Sequence, residues 1–279
     1  MKRVLSIQDI SCLGKCSLTV ALPIISAMGV ETSIVPTAVL STHTKFNHFT
    51  FRDLTTDMEG IKNHWVSEGF KFDAIYTGYL GSKEQVDIVS EYFSTFGNSH
   101  NYIVVDPAMA DNGKMYTGFT KDFAITMSRL CSKADIILPN ISEACFMLNR
   151  DYVGEDAPLP VIKELLTDLI KLGSKYAVIT GVKLPDGKLG FIGYDSSSQE
   201  FFMYGTDEVP IKSHGTGDVF ASTFTGALMN DFSVFDSLKI AADFTCLCIQ
   251  DTYTDPDAVD YAVNFETQIP NLLKMINNV

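Results

Sequence analysis

The chain lacks any apolar run near the roughly 20 residues that a membrane helix needs, and its apolar start is broken by Gln8, Asp9 and Lys15. Lys2-Arg3 precedes only the short run Val4 to Ile7, which predicts a first strand rather than a signal peptide. No cluster of lysine or arginine rises above a formal net charge of -13. The expectation is therefore no nucleic-acid partner and no membrane surface, since nothing supplies counterion release. An anionic substrate stays open, because backbone N–H groups and a metal ion hold phosphate without entering the side-chain charge count.

Cysteine is sparse and irregular: Cys12, Cys16, Cys131, Cys145, Cys246 and Cys248 form neither a disulfide framework nor a zinc spacing. Reduced thiols in the cytoplasm are expected. Gly-x-Gly-x-x-Gly is missing after the first strand, which removes the usual basis for a dinucleotide-dependent dehydrogenase. Asp9 to Cys16 has the setting of a P-loop, yet Asp9 replaces its first glycine and Cys16 its magnesium-holding hydroxyl. His48, His64 and His100 pair with no nucleophile, so no triad is predicted.

What is present is 279 residues, 46% of them hydrophobic, enough for a large core in one domain spanning 1–279. Apolar runs at Val4-Leu5, Ile103 to Val105, Ile136 to Leu138 and Ala177 to Ile179 read as strands buried on both faces. Between them, Leu18, Leu22, Ile25 and Met28 recur at helical spacing, as do Val86, Val89, Phe93 and Phe96, and Ile162, Leu165, Leu166 and Leu169. The alternation predicts an α/β fold with a mainly parallel central sheet, helices on both faces, and ligands at the carboxyl ends of the strands. Turn signals at Pro185-Asp186-Gly187 and Asp195 to Ser198 predict a small β flap over Leu184 to Tyr204. The end reads as helical over Phe220 to Met229 and Leu238 to Ile249, with a last helix near Pro270.

The richest motif is Gly215-Thr216-Gly217-Asp218 before the helical run from Val219. Two glycines let backbone N–H groups converge, and a helix N-terminus adds its positive end, so the segment fits an anion hole facing Asp218. It equally fits a glycine turn with Asp218 near an N-cap. Asn140 to Glu143 follows a strand at the ligand edge, where Glu143 could order a metal's hydration shell and Asn140 touch phosphate; the same spacing is a capping box. Asp106-Pro107 closes another strand, with Asp111 in the loop beyond it. Ser41 to Thr44 and Thr77 to Ser82 offer hydroxyls and an aromatic face to a small polar ring. His214, beside the glycine turn, reads as a packing residue.

Together these segments resemble the ribokinase-like superfamily, and within it the pyridoxal kinases, over essentially the whole chain. The resemblance implies ATP and Mg2+ as cofactors, with a monovalent cation such as K+ as a further one. It implies phosphorylation of the 5'-hydroxymethyl group of pyridoxal, pyridoxamine or pyridoxine, with Asp218 as general base and Gly215, Thr216 and Gly217 as the anion hole. It assigns Glu143 and Asp106 to the metal, and Asn140, Thr180 and Asp111 to ATP. Asp9, Thr44, Tyr79, His43, Leu40 and Cys16 go to the acceptor substrate. Its partners are the small-molecule substrate and ATP, and it implies a homodimer.

Asp9 stands where pyridoxal kinases typically carry a serine and hydroxymethylpyrimidine kinases an aspartate. Thr77-Gly78-Tyr79 points to vitamin B6. Hydroxymethylpyrimidine phosphorylation is the alternative activity, and a vitamin-binding protein on the same scaffold is the alternative class.

Overall fold

The computed structural model describes residues 1–211 and 213–277. In chain order its elements are β1 (Arg3–Leu13), α1 (Leu18–Ala27), β2 (Glu31–Thr42), β3 (Phe51–Asp53), α2 (Thr55–Ser67), β4 (Ala74–Thr77), α3 (Lys83–Phe96), β5 (Tyr102–Val105), β6 (Ala110–Asp111), β7 (Lys114–Met115), α4 (Lys121–Cys131), β8 (Ile136–Ile137), α5 (Ile141–Met147), α6 (Leu159–Ile170), β9 (Tyr176–Lys183), β10 (Leu189–Asp195), β11 (Glu200–Thr206), α7 (Thr216–Met229), α8 (Val234–Thr254) and α9 (Ile269–Asn277).

The main sheet runs β11-β10-β9-β8-β5-β4-β1-β2-β3, and β6-β7 forms a separate small hairpin. The six strands from β9 to β2 pair in parallel, and β3, β10 and β11 close the edges antiparallel. Neighbouring residues of the parallel strands point to opposite faces, and both are buried. Leu5, Ile75, Val105 and Ile137 enter one core, whereas Val4, Ala74, Val104 and Ile136 enter the other. Helices α2 to α6 cover the first face, and α1, α7 and α8 cover the second. None of the described helices is long and apolar enough to cross a membrane.

Chain order reverses at β1, which lies between β2 and β4. At such a switch point the outgoing loops part to opposite faces and leave a crevice beyond the carboxyl ends of the strands. Asp9, the loop Gly14 to Ser17 and the segment after β4 all lie there.

The expected hairpin exists, but its strands extend the sheet instead of folding over it. Phe191 and Ile192 are both buried, so β10 needs cover on two faces, and the Tyr204 hydroxyl ties β11 to Asp243 of α8 at 2.7 Å. Only the exposed turn Pro185 to Lys188 projects at the ligand edge. Because Phe191 is core, Phe191→Ala should cost about 3–5 kcal/mol. Thermal unfolding should show Tm falling by roughly 2–4 °C for each of those; a shift under about 1 °C would mean a loosely held flap.

Candidate active site

Two loops meet at the switch point. Gly215 has φ +79°, a left-handed conformation suited to glycine, and a Cβ there would lie 2.6 Å from the Lys15 carbonyl oxygen. The glycine therefore lets the turn before α7 lie directly against the loop between β1 and α1. Gly14, at φ +126°, is required for a similar reason: a Cβ would lie 2.3 Å from the His43 ring.

Asp218, in the first turn of α7, is the centre of this contact. Burial, and then the nearby charge of Asp9, raise its pKa to about 7, against the lowering influence of the adjacent Ser17 backbone and Cys16 thiol. The positive end of the helix is thus outweighed by desolvation. Cys16 stays a thiol, because burial and the charges of Asp218 and Asp9 push its pKa up.

Asp9 is buried in β1, beyond a bulge between Gln8 and Ile10. The Ser11 hydroxyl donates to it at 3.0 Å, yet burial still raises its pKa. Tyr79 faces the same charge; burial and Asp9 push its phenol up to about 12, so it stays neutral, and its ring packs on Phe119 at 5.4 Å. His43 is buried against Gly14, bonded through Nε2 to the Tyr261 carbonyl at 3.0 Å, and stacked on His214 at 5.9 Å. Burial pushes both imidazoles down, which keeps them neutral at pH 7. Leu40 is buried in register with Ser11, and half-buried Thr44 follows His43. The carboxyl ends of β1, β2 and β4 thus carry one carboxylate, Asp9, beside the neutral side chains of Tyr79 and His43.

On the other side of Asp218 lies a second pair of carboxylates. Asp106 Oδ2 is 3.9 Å from where a Gly217 Cβ would stand, an ordinary contact distance, so this carboxylate lies beside the glycine turn. Burial, then Glu143 and Asp218, raise the Asp106 pKa strongly. Glu143 forms the capping box of α5: its Oε2 accepts from Asn140 N–H at 2.9 Å, and Asn140 Oδ1 accepts from Glu143 N–H at 2.9 Å. Its Oε1 also accepts from Met109 N–H at 3.0 Å and Ala110 N–H at 3.4 Å. Burial lifts its pKa to about 7 against these donors.

Asn140 has its amide engaged as well, donating to the Ala110 carbonyl at 2.7 Å. Thr180 lies beside it in a parallel bridge. Asp111 is exposed in the β6-β7 turn and bonds Asn112, so it stands apart from the buried cluster.

Among the described residues no three His, Cys, Asp or Glu side chains form a metal site alone. A divalent cation nevertheless fits beside Asp106 and Glu143, because two buried carboxylates that raise each other's cost of ionisation are relieved by positive charge. Mg2+ commonly takes one or two carboxylates and completes its shell with phosphate oxygens and water.

Residues 21–260 match the family model described as phosphomethylpyrimidine kinase. The chain belongs to that family. A candidate phosphomethylpyrimidine kinase from Bacteroides thetaiotaomicron is 36% identical with a TM-score of 0.92, covering 97% of this chain and 93% of that one. A second crystal form of that protein contains pyridoxal. Pyridoxal kinase from Lactobacillus plantarum is 28% identical with a TM-score of 0.90, covering 100% and 99%. The thiamine biosynthetic bifunctional enzyme TH1 of Arabidopsis thaliana is 28% identical over 180 residues, 64% of this chain. The chain matches 33% of that relative's length. The protein is thus a phosphotransferase of the pyridoxal and phosphomethylpyrimidine kinase group with the ribokinase-like fold.

Sequence reasoning missed Ser11 and Phe119 in this kinase, since nothing local marks a serine that serves a carboxylate. It also missed a groove of about 370 Å³ beside the end of β11, lined by Thr206, Asp207, Cys246 and Gln250 among others.

Glu143 gives a direct test of the capping geometry. An amide in its place would turn an NH2 group toward either Asn140 N–H or the pair Met109 and Ala110 N–H, leaving a buried donor unpaired. Glu143→Gln should therefore cost about 1–3 kcal/mol, seen in denaturant unfolding. Unchanged stability would show that those three backbone bonds are dispensable.

Proposed function

We propose that this kinase transfers the γ-phosphoryl group of ATP to the hydroxymethyl group of a B6 vitamer, with Asp218 as general base. The observation that carries the reading is Asp218 itself: a half-buried carboxylate at the N-terminus of α7, beside the glycine turn, with a pKa raised to about 7 by loss of water. A base poised there accepts the hydroxyl proton as the oxygen attacks, and the N–H groups of the turn stabilise charge on the transferring phosphoryl group. Asp9, Tyr79 and His43 orient the ring so that its hydroxymethyl group meets Asp218. Asp106 and Glu143 are proposed to hold Mg2+, which when bound would neutralise phosphate charge. Thr180 and Asn140 lie at the same edge for the triphosphate, and the groove beside β11 receives the nucleoside.

The expected pH dependence follows from the base. Asp218 works only when ionised, so kcat/KM should rise with pH through about 7. Asp9→Asn removes a charge that raises the Asp218 pKa, so this acid limb should move to lower pH. A limb that stays in place would separate Asp9 from Asp218 electrostatically. Asp218→Asn should lower kcat by roughly 10²–10⁴-fold with unchanged unfolding. Near-normal turnover would remove Asp218 as base.

A second reading, hydroxymethylpyrimidine as acceptor, is favoured by Asp9. An ionised carboxylate only accepts hydrogen bonds, which suits the amino group of the pyrimidine or the ammonium of pyridoxamine better than the aldehyde oxygen of pyridoxal. Asp9→Ser should then raise the kcat/KM of pyridoxal relative to those two by roughly ten- to a hundredfold. Assays with pyridoxal, pyridoxamine, pyridoxine and hydroxymethylpyrimidine decide between the readings. Binding of a vitamer without ATP turnover would instead mark a vitamin-binding protein.

A further inference from the structure

At the start of α3, Ser82 and Gln85 have the spacing of a capping box, in which the later residue's side chain accepts from the N–H of the cap. Half of the box is present: Ser82 Oγ accepts from Gln85 N–H at 3.2 Å. The other half is displaced. Gln85 Oε1 accepts from Gly81 N–H at 2.7 Å, one residue before the cap. Its Nε2 turns to other elements, donating to the Thr37 carbonyl at 2.9 Å and to Thr55 Oγ1 at 3.0 Å. Only this orientation of the amide matches its partners; the reverse would set donor against donor at Gly81 and acceptor against acceptor at Thr37.

Both ends of the bridge lead to residues read as binding the acceptor. In β2, Thr37 and Ala38 stand opposite Asp9 alone, because Gln8 pairs with Pro36 and Ile10 with Val39. A bulge of this kind disrupts the ladder and bends the strand. The Thr37 carbonyl within it is held by Gln85 and by Leu54 N–H at 3.0 Å. At the other end, a Cβ on Gly81 would lie 3.9 Å from Tyr79 Cε1 and 3.7 Å from Phe51 Cζ, so the Gly81 main chain lies against the tyrosine ring. Gln85 is fully buried, on a helix whose other buried residues include Val86, Val89, Phe93 and Phe96. Packing alone would be served there by leucine or methionine, without the cost of desolvating an amide.

We propose that Gln85 is a positioning residue for the acceptor substrate, whose amide ties the Tyr79 loop to the strand bulge facing Asp9. The inference rests on the reading of Asp9 and Tyr79 as acceptor-binding residues. Gln85 then governs the acceptor and not ATP.

The test compares Gln85→Met and Gln85→Glu with the unaltered kinase, and runs Tyr79→Ala in parallel. The acceptor is whichever of pyridoxal, pyridoxamine, pyridoxine and hydroxymethylpyrimidine the unaltered kinase phosphorylates fastest. Gln85→Met fills the space without the hydrogen bonds, so the acceptor KM should rise about five- to fiftyfold with KM for ATP within about twofold of normal. Gln85→Glu carries its own control. When protonated, its carboxyl accepts from Gly81 and donates to Thr37 or Thr55 as the amide does; when ionised, it only accepts. Burial and the Asp53 carboxylate, 3.4 Å from Gln85 Nε2, bring that change between about pH 6 and about pH 9. The acceptor KM of Gln85→Glu relative to the unaltered kinase should therefore be within about twofold at the acidic end and about five- to fiftyfold higher at the alkaline end. Thermal melts should show a folded protein at both. A ratio that stays flat overturns the proposal. So does a parallel rise in KM for ATP, or unfolding at the alkaline end, since either makes Gln85 a support of the fold at large. If Gln85→Met does not fold, Gln85→Glu decides alone. If Tyr79→Ala leaves the acceptor KM unchanged, or none of the compounds is phosphorylated, the acceptor reading fails and this inference with it. If Tyr79→Ala raises that KM while the Gln85→Glu ratio stays flat, the Gln85 inference fails alone.

Discussion

Three carboxylates, Asp9, Asp106 and Glu143, are buried at one edge of the sheet with the half-buried Asp218 beside them, and each is pushed toward its neutral form by the loss of water. Leaving any of them charged costs several kcal/mol unless donors or a counter-charge meet it. Much of the local architecture supplies those donors. Three backbone N–H groups converge on Glu143, and the Ser11 hydroxyl donates to Asp9. Asp106 faces two neighbouring charges, those of Glu143 and Asp218.

This distribution divides the work of the site. Asp9 sits in the crevice near a phenol and an imidazole that burial keeps neutral. Glu143 accepts from three backbone N–H groups, two of them in the loop after Asp106, which ties that loop to the start of α5. Asp218 lies between the two groups, poised by burial near neutrality. A positive charge is most needed beside Asp106, where burial and two neighbouring carboxylates raise the cost of ionisation.

The sequence by itself determined the class of fold, because the paired apolar runs and helical spacings are properties of consecutive residues. Val4-Leu5 and Ile136-Ile137 could only be strands covered on both faces, and their carboxyl ends had to carry the ligand. It also determined the glycine turn, Asp218 and the capping box, whose residues lie within four positions of one another. Tertiary structure decided the rest. That the capping Glu143 also holds Met109 and Ala110 depends on a contact 33 and 34 residues away in the chain. That the hairpin widens the sheet depends on whether Phe191 finds α7 and α8 to pack on, which periodicity does not tell. The pKa of Asp218 is decided there too: a helix N-terminus acts through a few neighbouring dipoles, whereas desolvation is set by everything the fold places around the group.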